Sequence, residues 1–314
     1  MNAKILLLII LTWNLTASAE KAPQPDIRLA NIIRGYSDKQ SFGNPTGAFL
    51  DSKKSEIYIA DAGNHQIGIF NLRGISLWTF KHWVTDGRTG QRVLGDPRAV
   101  VVTGDGDIIV SDNKADYVDV LDYRGSLVGR IDPKDYPEAG PFRSAVLALD
   151  KSGNLYIGGN LEKTEIIKLN PDYQLLMRFG QKGEEPQDFQ EISGIWIDED
   201  SNILVTDAVG SPILKRFSAD GAYLGGFGEH TIEQNDFSFP CGVAMTSGGR
   251  IWIVDQLRQV VKCLTSSGEY ITMIGGLGNK PGDMYYPSAV TSDGDSLLVV
   301  AEKNGNRFQQ FLIR

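Results

Sequence analysis

The sequence predicts an all-β fold, a six-bladed β-propeller of four-stranded antiparallel blades, from three observations. Short β-rich runs, glycines and turn residues are spread evenly over the 314 residues, and no segment has a long helical period. An apolar stretch recurs six times, and five of the copies end at or just before an acidic residue. The spacing of these copies leaves space for four short strands in each, which is the size of a propeller blade.

The recurring stretch is the expected second strand of each unit. Its copies read "IYIAD", "IIVSD", "LYIGG", "ILVTD", "IWIVD" and "LLVVA", and they end at Asp61, Asp112, Gly159, Asp207, Asp255 and Ala301. The steps between these positions are 51, 47, 48, 48 and 46 residues. A WD-type propeller is less well supported, because its repeat is about 40–45 residues long and its Trp-Asp dipeptide is absent here.

The first strand of each unit lies about ten residues upstream of the second. Its copies share one small residue, found at Gly47, Ala99, Ala145, Gly194, Gly242 and Ala289. A small side chain lets two backbones come close, so we expect the inner strands to approach one another at this position around the propeller axis. A third apolar run follows each second strand, and in the first five units a fourth run completes the blade.

The two ends of the chain predict how the ring closes. The sixth unit ends at Arg314 after its third strand, while an unassigned apolar strand occupies residues 26–35. We expect the N-terminal strand to complete the last blade, because a closed ring leaves no strand edge unpaired.

Residues 1–19 have the pattern of a secretory signal peptide. Lys4 precedes an apolar run over residues 5–11, and the small residues Ala17 and Ala19 predict cleavage before Glu20. An uncleaved anchor is the alternative, but the run is much shorter than the ~20 apolar residues that span a bilayer. We therefore expect a single propeller domain over residues 20–314 in an exported protein, periplasmic or extracellular and of bacterial type.

The net charge argues against two kinds of partner. The chain carries a formal charge of −8, which becomes −9 once Lys4 is removed, and it has no basic run. An acidic surface repels nucleic acid and anionic membranes, so neither is an expected partner.

The repeats resemble those of NHL-repeat proteins. The resemblance extends over nearly all of residues 20–314 and is strongest in the first unit, where "DAGNHQIGIF" contains the Asn64 and His65 that are typical of the family. It implies a six-bladed propeller. Function is less constrained by it, because propellers of this kind serve binding, scaffolding and some enzymatic roles.

The repeated acidic residue is expected to be structural. Its carboxylate can accept hydrogen bonds from N–H groups of the turn that follows, and the Asn64-His65 pair suits a tight turn. Peptide-amidating lyases suggest by analogy a zinc site built from histidines. However, His65 and His82 belong to the first unit and His230 to the fourth, on opposite sides of a six-fold ring, so we do not expect them to share an ion.

The expected ligand site is the mouth of the central channel, just before each inner strand. The position that precedes the inner strand varies in chemistry, and residues close to it add two arginines. The predicted binding set is Asn44, Asp96, Arg98, Arg143, Glu191, Phe239 and Tyr286. Of these, Asn44, Asp96 and Glu191 could supply oxygen ligands to Ca²⁺, as in gluconolactonase-like propellers. The alternative is that all of them are solvated or mutually paired loop residues.

The two cysteines are not expected to form a disulfide. Cys241 opens the inner strand of the fifth unit and Cys263 lies in its third strand, so one strand separates them. Their Cα atoms should then be more than ~7 Å apart, which is too far for a bridge.

These observations favour an exported binding module, monomeric or part of an envelope complex, that presents its loops and channel mouth to a protein, peptide or glycan. A Ca²⁺-dependent hydrolase or lactonase at the same mouth is the alternative. No catalytic residue and no other cofactor is predicted.

Overall fold

The computed structural model describes residues 23–138, 140, 142–143, 146–160 and 163–314. The proposed signal peptide lies outside the described residues. Within them, the chain forms six four-stranded antiparallel sheets, two small two-stranded sheets and two short 3₁₀ turns at Pro133–Asp135 and Ser247–Gly249. The six-bladed propeller is confirmed. No helix in the described ranges is long and apolar enough to cross a membrane.

The first three blades follow an N-terminal strand and a short hairpin. These first elements are β1 (Ile27–Ile33), β2 (Gly35–Ser37) and β3 (Gln40–Ser41). Blade 1 contains β4 (Pro45–Asp51), β5 (Glu56–Asp61), β6 (Gln66–Asn71) and β7 (Ser76–Lys81). A second hairpin consists of β8 (Trp83–Thr85) and β9 (Arg92–Leu94). Blade 2 contains β10 (Pro97–Val102), β11 (Ile108–Asp112), β12 (Val118–Leu121) and β13 (Leu127–Ile131). Blade 3 contains β14 (Val146–Leu149), β15 (Leu155–Asn160), β16 (Thr164–Leu169) and β17 (Leu175–Phe179).

The remaining blades repeat this arrangement. Blade 4 contains β18 (Ile192–Ile197), β19 (Ile203–Asp207), β20 (Leu214–Phe217) and β21 (Tyr223–Phe227). Blade 5 contains β22 (Pro240–Thr246), β23 (Arg250–Asp255), β24 (Val260–Leu264) and β25 (Tyr270–Gly275). Blade 6 contains β26 (Pro287–Ser292), β27 (Leu297–Glu302), β28 (Arg307–Ile313) and, as its outer strand, β1. The β8–β9 hairpin was not predicted, and it accounts for the longest step, that of 51 residues.

The ring closes through the two ends of the chain, as predicted. Strand β1 pairs antiparallel with β28, in a register that matches Ile27 with Ile313 and Ile33 with Phe308. Asp26 and Arg314 exchange two backbone hydrogen bonds of 2.9 Å. The facing edges of β1 and β28 are therefore paired with each other.

The inner strands approach one another at the small residues, as predicted for the described positions. A Cβ atom on Gly47 would lie 2.5 Å from the Arg98 carbonyl oxygen, and one on Gly194 would lie 2.5 Å from the Cα of Gly242. Contacts shorter than 3 Å are not tolerated by real Cβ atoms, so glycine is required where these backbones meet. Ala145 lies outside the described residues.

The core lies between successive blades. Second and third strands are buried on both faces, and Tyr58 and Ile69 of blade 1 pack against Val100 and Val110 of blade 2. Fully burying one such side chain is worth about 1.5–3 kcal/mol. Outer strands are partly exposed, and Val128 of β13 is 61% exposed. The apolar runs thus support a rigid ring around a central channel.

Candidate functional site: one mouth of the central channel

The repeated acidic residues hold the loops that form this mouth. The carboxylate of Asp207 accepts the N–H groups of Gln190 at 2.8 Å and Glu191 at 2.9 Å, and that of Asp255 accepts those of Ser238 at 3.0 Å and Phe239 at 3.2 Å. These donors stand 16 or 17 residues upstream, just before the inner strand. The expected bonds to the following turn are also present, for example from Gly210 to Asp207 at 2.8 Å. The carboxylates therefore position the mouth as well as the turn.

Blade 3 has no acidic residue at the position predicted there, Gly159. The strand β15 continues to Asn160, whose Oδ1 accepts the N–H of Ile192 in the next blade at 2.7 Å. An amide thus takes over part of the same role.

The acidic residue of blade 2 binds a buried histidine instead. His82 is 2% exposed, and its Nδ1 lies 2.9 Å from Asp112 Oδ2 while its Nε2 lies 3.2 Å from Asp119 Oδ2. Arg130 pairs with the other oxygen of Asp119 at 3.1 Å. Burial alone lowers the pKa of His82, but the hydrogen bonds and charges of Asp112 and Asp119 raise it overall. Both ring nitrogens of His82 are thus bound by carboxylates of blade 2. His65 and His230 lie elsewhere in the fold.

A second row of residues completes the rim. In blades 2, 4, 5 and 6 the residue after the acidic position, which is Glu302 in blade 6, donates its N–H to the carbonyl of the residue that precedes the inner strand. Gln256 donates to Phe239 at 2.9 Å and Lys303 to Tyr286 at 2.8 Å. This bond brings Gln256 and Lys303 to the channel, where both line the cavity. Gln256 and Lys303 were not predicted from the sequence. Their position directly after the repeated acidic residue is the signal that could have found them.

Small polar side chains tie neighbouring blades together at the start of the inner strands. Thr46 donates to the carbonyl of Pro97 at 2.7 Å, and Ser288 donates to that of Pro45 at 2.7 Å. Cys241 is placed alike, with its Sγ 3.6 Å from the carbonyl oxygen of Pro287. Ser193 occupies the same position in blade 4 and donates to Thr206 of its own blade at 3.1 Å.

Arg98 occupies this position in blade 2 and is the exception in chemistry. It lines a cavity of about 350 Å³ inside the channel. Its Nε is buried, and no group among the described residues accepts a hydrogen bond from it. Burial lowers the pKa of the Arg98 guanidinium, and the charge of Glu191, which lines the same cavity, opposes that shift. Arg98 therefore lines the cavity with a guanidinium whose Nε has no partner among the described residues.

Three of the seven predicted site residues line this cavity, namely Arg98, Glu191 and Phe239. Glu191 and Phe239 are half-buried, and the backbone of each is fixed by the acidic residue of its own blade. The cavity walls below them are aliphatic, with Val146, Ile195 and others from the inner strands. The site thus combines charged groups at the rim with apolar walls.

The other four predicted residues do not line the cavity. The Asp96 carboxylate lies 3.7 Å from Nδ1 of His65, and the Asn44 N–H is bound by Asn306 Oδ1 at 2.9 Å. The ring of Tyr286 packs edge-on against Tyr285. The Arg143 guanidinium points to the loop of Gly87, where a Cβ would lie 3.4 Å from it.

The candidate calcium ligands are therefore not brought together. Glu191 alone of the three faces the cavity, while Asp96 faces His65 and Asn44 belongs to the opposite side of the rim. Across the described ranges no group of three His, Cys, Asp or Glu side chains is placed to hold a metal ion. Of the three candidate calcium ligands, Glu191 lines the cavity and Asn44 and Asp96 do not.

The opposite mouth of the channel is wider and is built from turns. A cavity of about 940 Å³ lies among the loops that join the first and second strands, including residues 51–54, 198–200 and 293–295. In these loops Asp198 accepts hydrogen bonds from its own turn. Its Oδ1 accepts the N–H groups of Asp200 at 2.9 Å and Asn202 at 2.7 Å. These carboxylates stabilise turns.

No protein-family model matches the chain. Among curated proteins it is similar to NHL repeat-containing protein 3 of Mus musculus, with 26% identity over 222 residues. That similarity and the six blades of four strands agree with the repeat pattern around Asn64 and His65. The chain is thus similar to NHL-repeat β-propellers. The match covers 67% of this chain and 61% of the relative's length.

Solved structures share the propeller fold of this chain. Virginiamycin B lyase from Staphylococcus aureus is 12% identical, with a TM-score of 0.59 over 92% of this chain and 99% of that one. A putative gluconolactonase is 15% identical, with a TM-score of 0.61 over 92% of each chain. A Bacteroides thetaiotaomicron protein of unknown function is 15% identical, with a TM-score of 0.64 over 93% of this chain and 77% of that one. At these identities the likeness shows the fold alone.

Proposed function

We propose that this propeller is an exported binding module whose ligand enters the channel at the mouth lined by Arg98, Glu191 and Phe239. Export rests on the secretory pattern of residues 1–19. The partner is a protein, peptide or glycan that presents a chemical group to the channel. Repeat architectures commonly use such concave surfaces for binding, and the similarity to an NHL repeat-containing protein supports this class of role.

Arg98 is the observation that carries the proposal. A buried charged donor without an acceptor costs folding free energy. Blades 1, 4 and 6 place Thr46, Ser193 and Ser288 at the same position, so the fold itself does not need an arginine there. A ligand that supplies the missing acceptor offsets this cost only when it is bound, as expected of a recognition residue.

The channel can be tested for access through its own thiol. Cys241 lines the cavity, while Cys263 is fully buried in the blade core, and burial raises the pKa of each thiol to about 12. We expect methyl methanethiosulfonate to label Cys241 in native Cys263→Ala protein much faster than Cys263 in native Cys241→Ser protein. Burial raises the pKa of both thiols, so the comparison of their labelling rates reports on access. Equal slow labelling of both would overturn a ligand site in the channel.

Metal dependence separates the alternative enzyme from the module. A Ca²⁺-dependent hydrolase would show a Tm raised by Ca²⁺ and lowered by a chelator, with the effect lost in Glu191→Gln. The binding module predicts no change in Tm with either treatment. Export is checked separately by fractionating cells that express the full chain and a variant lacking residues 1–19.

A further inference from the structure

We infer that the group accepted by the channel is a carboxylate carried by an apolar body. This inference rests on the proposed function, because it names the ligand of the same site. It follows from the charges that line the cavity, from the shape of the arginine donor and from the walls below it.

The cavity is locally positive in an acidic protein. Its charged lining residues are Arg98, Lys303 and Glu191, two cations against one anion, whereas the whole chain has a formal charge of −8. The excess of one positive charge suits a monoanion. A dianionic phosphate would face the carboxylate of Glu191 with only one unit of charge to balance it.

The donor geometry favours a carboxylate. A guanidinium presents its N–H groups as a planar fork that matches the two oxygens of a carboxylate. The Nε of Arg98 is the buried part of that fork, and no described residue accepts from it. Lys303 lines the same cavity and adds a second, flexible cation.

The walls favour an apolar body. Below the rim the cavity is lined by Val146, Ile195, Val243 and Val290, which come from four different inner strands. Its volume of about 350 Å³ lies at the small end of the range for small-molecule sites, which is about 300–1,000 Å³. A short aliphatic or aromatic acid fits this arrangement, with its carboxylate at Arg98 and its body along the channel. An apolar C-terminal residue of a peptide presents the same chemistry.

The first test compares two thiol reagents of opposite charge on native Cys263→Ala protein. Anionic sulfonatoethyl methanethiosulfonate should label Cys241 faster than cationic trimethylammonioethyl methanethiosulfonate by about tenfold, after correction for their rates with free cysteine. Arg98→Ser places in blade 2 the residue found in blades 4 and 6, and it should abolish the preference. Glu191→Gln should increase it. Arg88→Ser is the matched control, because Arg88 is 77% exposed and lies outside the cavity.

The second test measures protection of Cys241 by hexanoate, with hexanamide as the neutral control. Hexanoate should slow labelling of the wild-type channel by at least about tenfold at saturation, and hexanamide should not. A peptide ending in leucine with a free C-terminus, compared with its amidated form, distinguishes a peptide source from a free acid. If Arg98→Ser does not fold, Glu191→Gln tests the same charge effect in the opposite direction, because it should increase the preference of Cys241 for the anionic reagent.

The outcomes separate this inference from the proposed function. An accessible Cys241 with no charge preference, or protection by hexanoate and hexanamide alike, would overturn the carboxylate and leave the channel site standing. An inaccessible Cys241 would overturn both.

Discussion

Asp207 links stability and site geometry at a single residue. It is fully buried, accepts the N–H groups of Gln190, Glu191 and Gly210, and lies 3.6 Å from the buried ammonium of Lys215. Removing it leaves these donors unpaired and takes away two of the hydrogen bonds that hold the Glu191 loop. A turn residue predicted from sequence is therefore also a positioning residue for the mouth.

We expect Asp207→Ala to lower the free energy of unfolding by about 3–5 kcal/mol, because it leaves a buried cation without its partner. It should also change the labelling rate of Cys241 in the folded protein. The control is Asp293→Ala at the opposite mouth, where the carboxylate accepts three N–H groups of its own turn. That variant should cost about 1–2 kcal/mol and leave the labelling rate unchanged. Urea unfolding and thiol kinetics measure both; equal labelling of all three proteins would contradict the positioning role.

His82 predicts a pH dependence of stability. Its folded-state pKa is raised above the unfolded value of 6.5, so the stability it contributes is fully present below pH 6.5 and is lost as pH rises through the folded-state pKa. The wild type should exceed His82→Gln by about 2–4 kcal/mol at low pH, and by less above that pKa. Urea unfolding of both proteins across pH measures the difference. A constant or growing difference with rising pH would contradict a cationic His82.

At the scale of strands, the inner strands pack closely where they meet. We expect Gly194→Ala to lower stability by about 1–3 kcal/mol, because its Cβ would lie 2.5 Å from the Cα of Gly242 and backbone cannot yield cheaply. Gly104→Ala, in the turn between β10 and β11, is the matched control, since nothing lies within 4 Å of its added Cβ. Melting temperatures of the two variants check this. Equal values would show that the inner strands are farther apart than described.

The strand order of blade 5 makes a chemical prediction. Trp252 of β23 pairs with Ala244 of β22 on one side and with Cys263 of β24 on the other, so β23 separates the two cysteines. Both thiols are free. Denatured, unreduced protein should bind two equivalents of a thiol reagent, and no binding in a monomer would refute this register.

At the scale of the molecule, the ring depends on its N-terminal strand. Deleting residues 26–35 removes β1, leaves β28 unpaired and exposes the apolar groups that β1 covers on blades 5 and 6. We expect a much lower melting temperature than for deletion of residues 21–24, which lie before the strand. Similar melting temperatures for the two truncations would contradict closure by β1.

Sequence reasoning recovered the ring more fully than the site. Blade number, strand order, the end of the second strand in blades 1, 2, 4 and 5, and closure by β1 could be predicted, because alternation and spacing are local properties that repeat at a constant period. The β8–β9 hairpin escaped prediction, since only one copy of it exists and nothing in the repeat calls for it. Gly159 was aligned one residue short of Asn160 because the acidic residue that marks the strand end is absent there.

The sequence by itself determined the architecture and even displayed the exceptional arginine, since Arg98 interrupts a row of Thr, Ser and Cys at one repeat position. Only the tertiary structure decided which rim residues meet. Side-chain direction at the mouth depends on loop backbone that the acidic residues and neighbouring blades fix, and these contacts join residues far apart in the chain. They turn Asp96 towards His65 and Arg143 towards Gly87. They place Lys303 in the same cavity as Arg98 and Glu191. They also leave the buried Nε of Arg98 without an acceptor among the described residues.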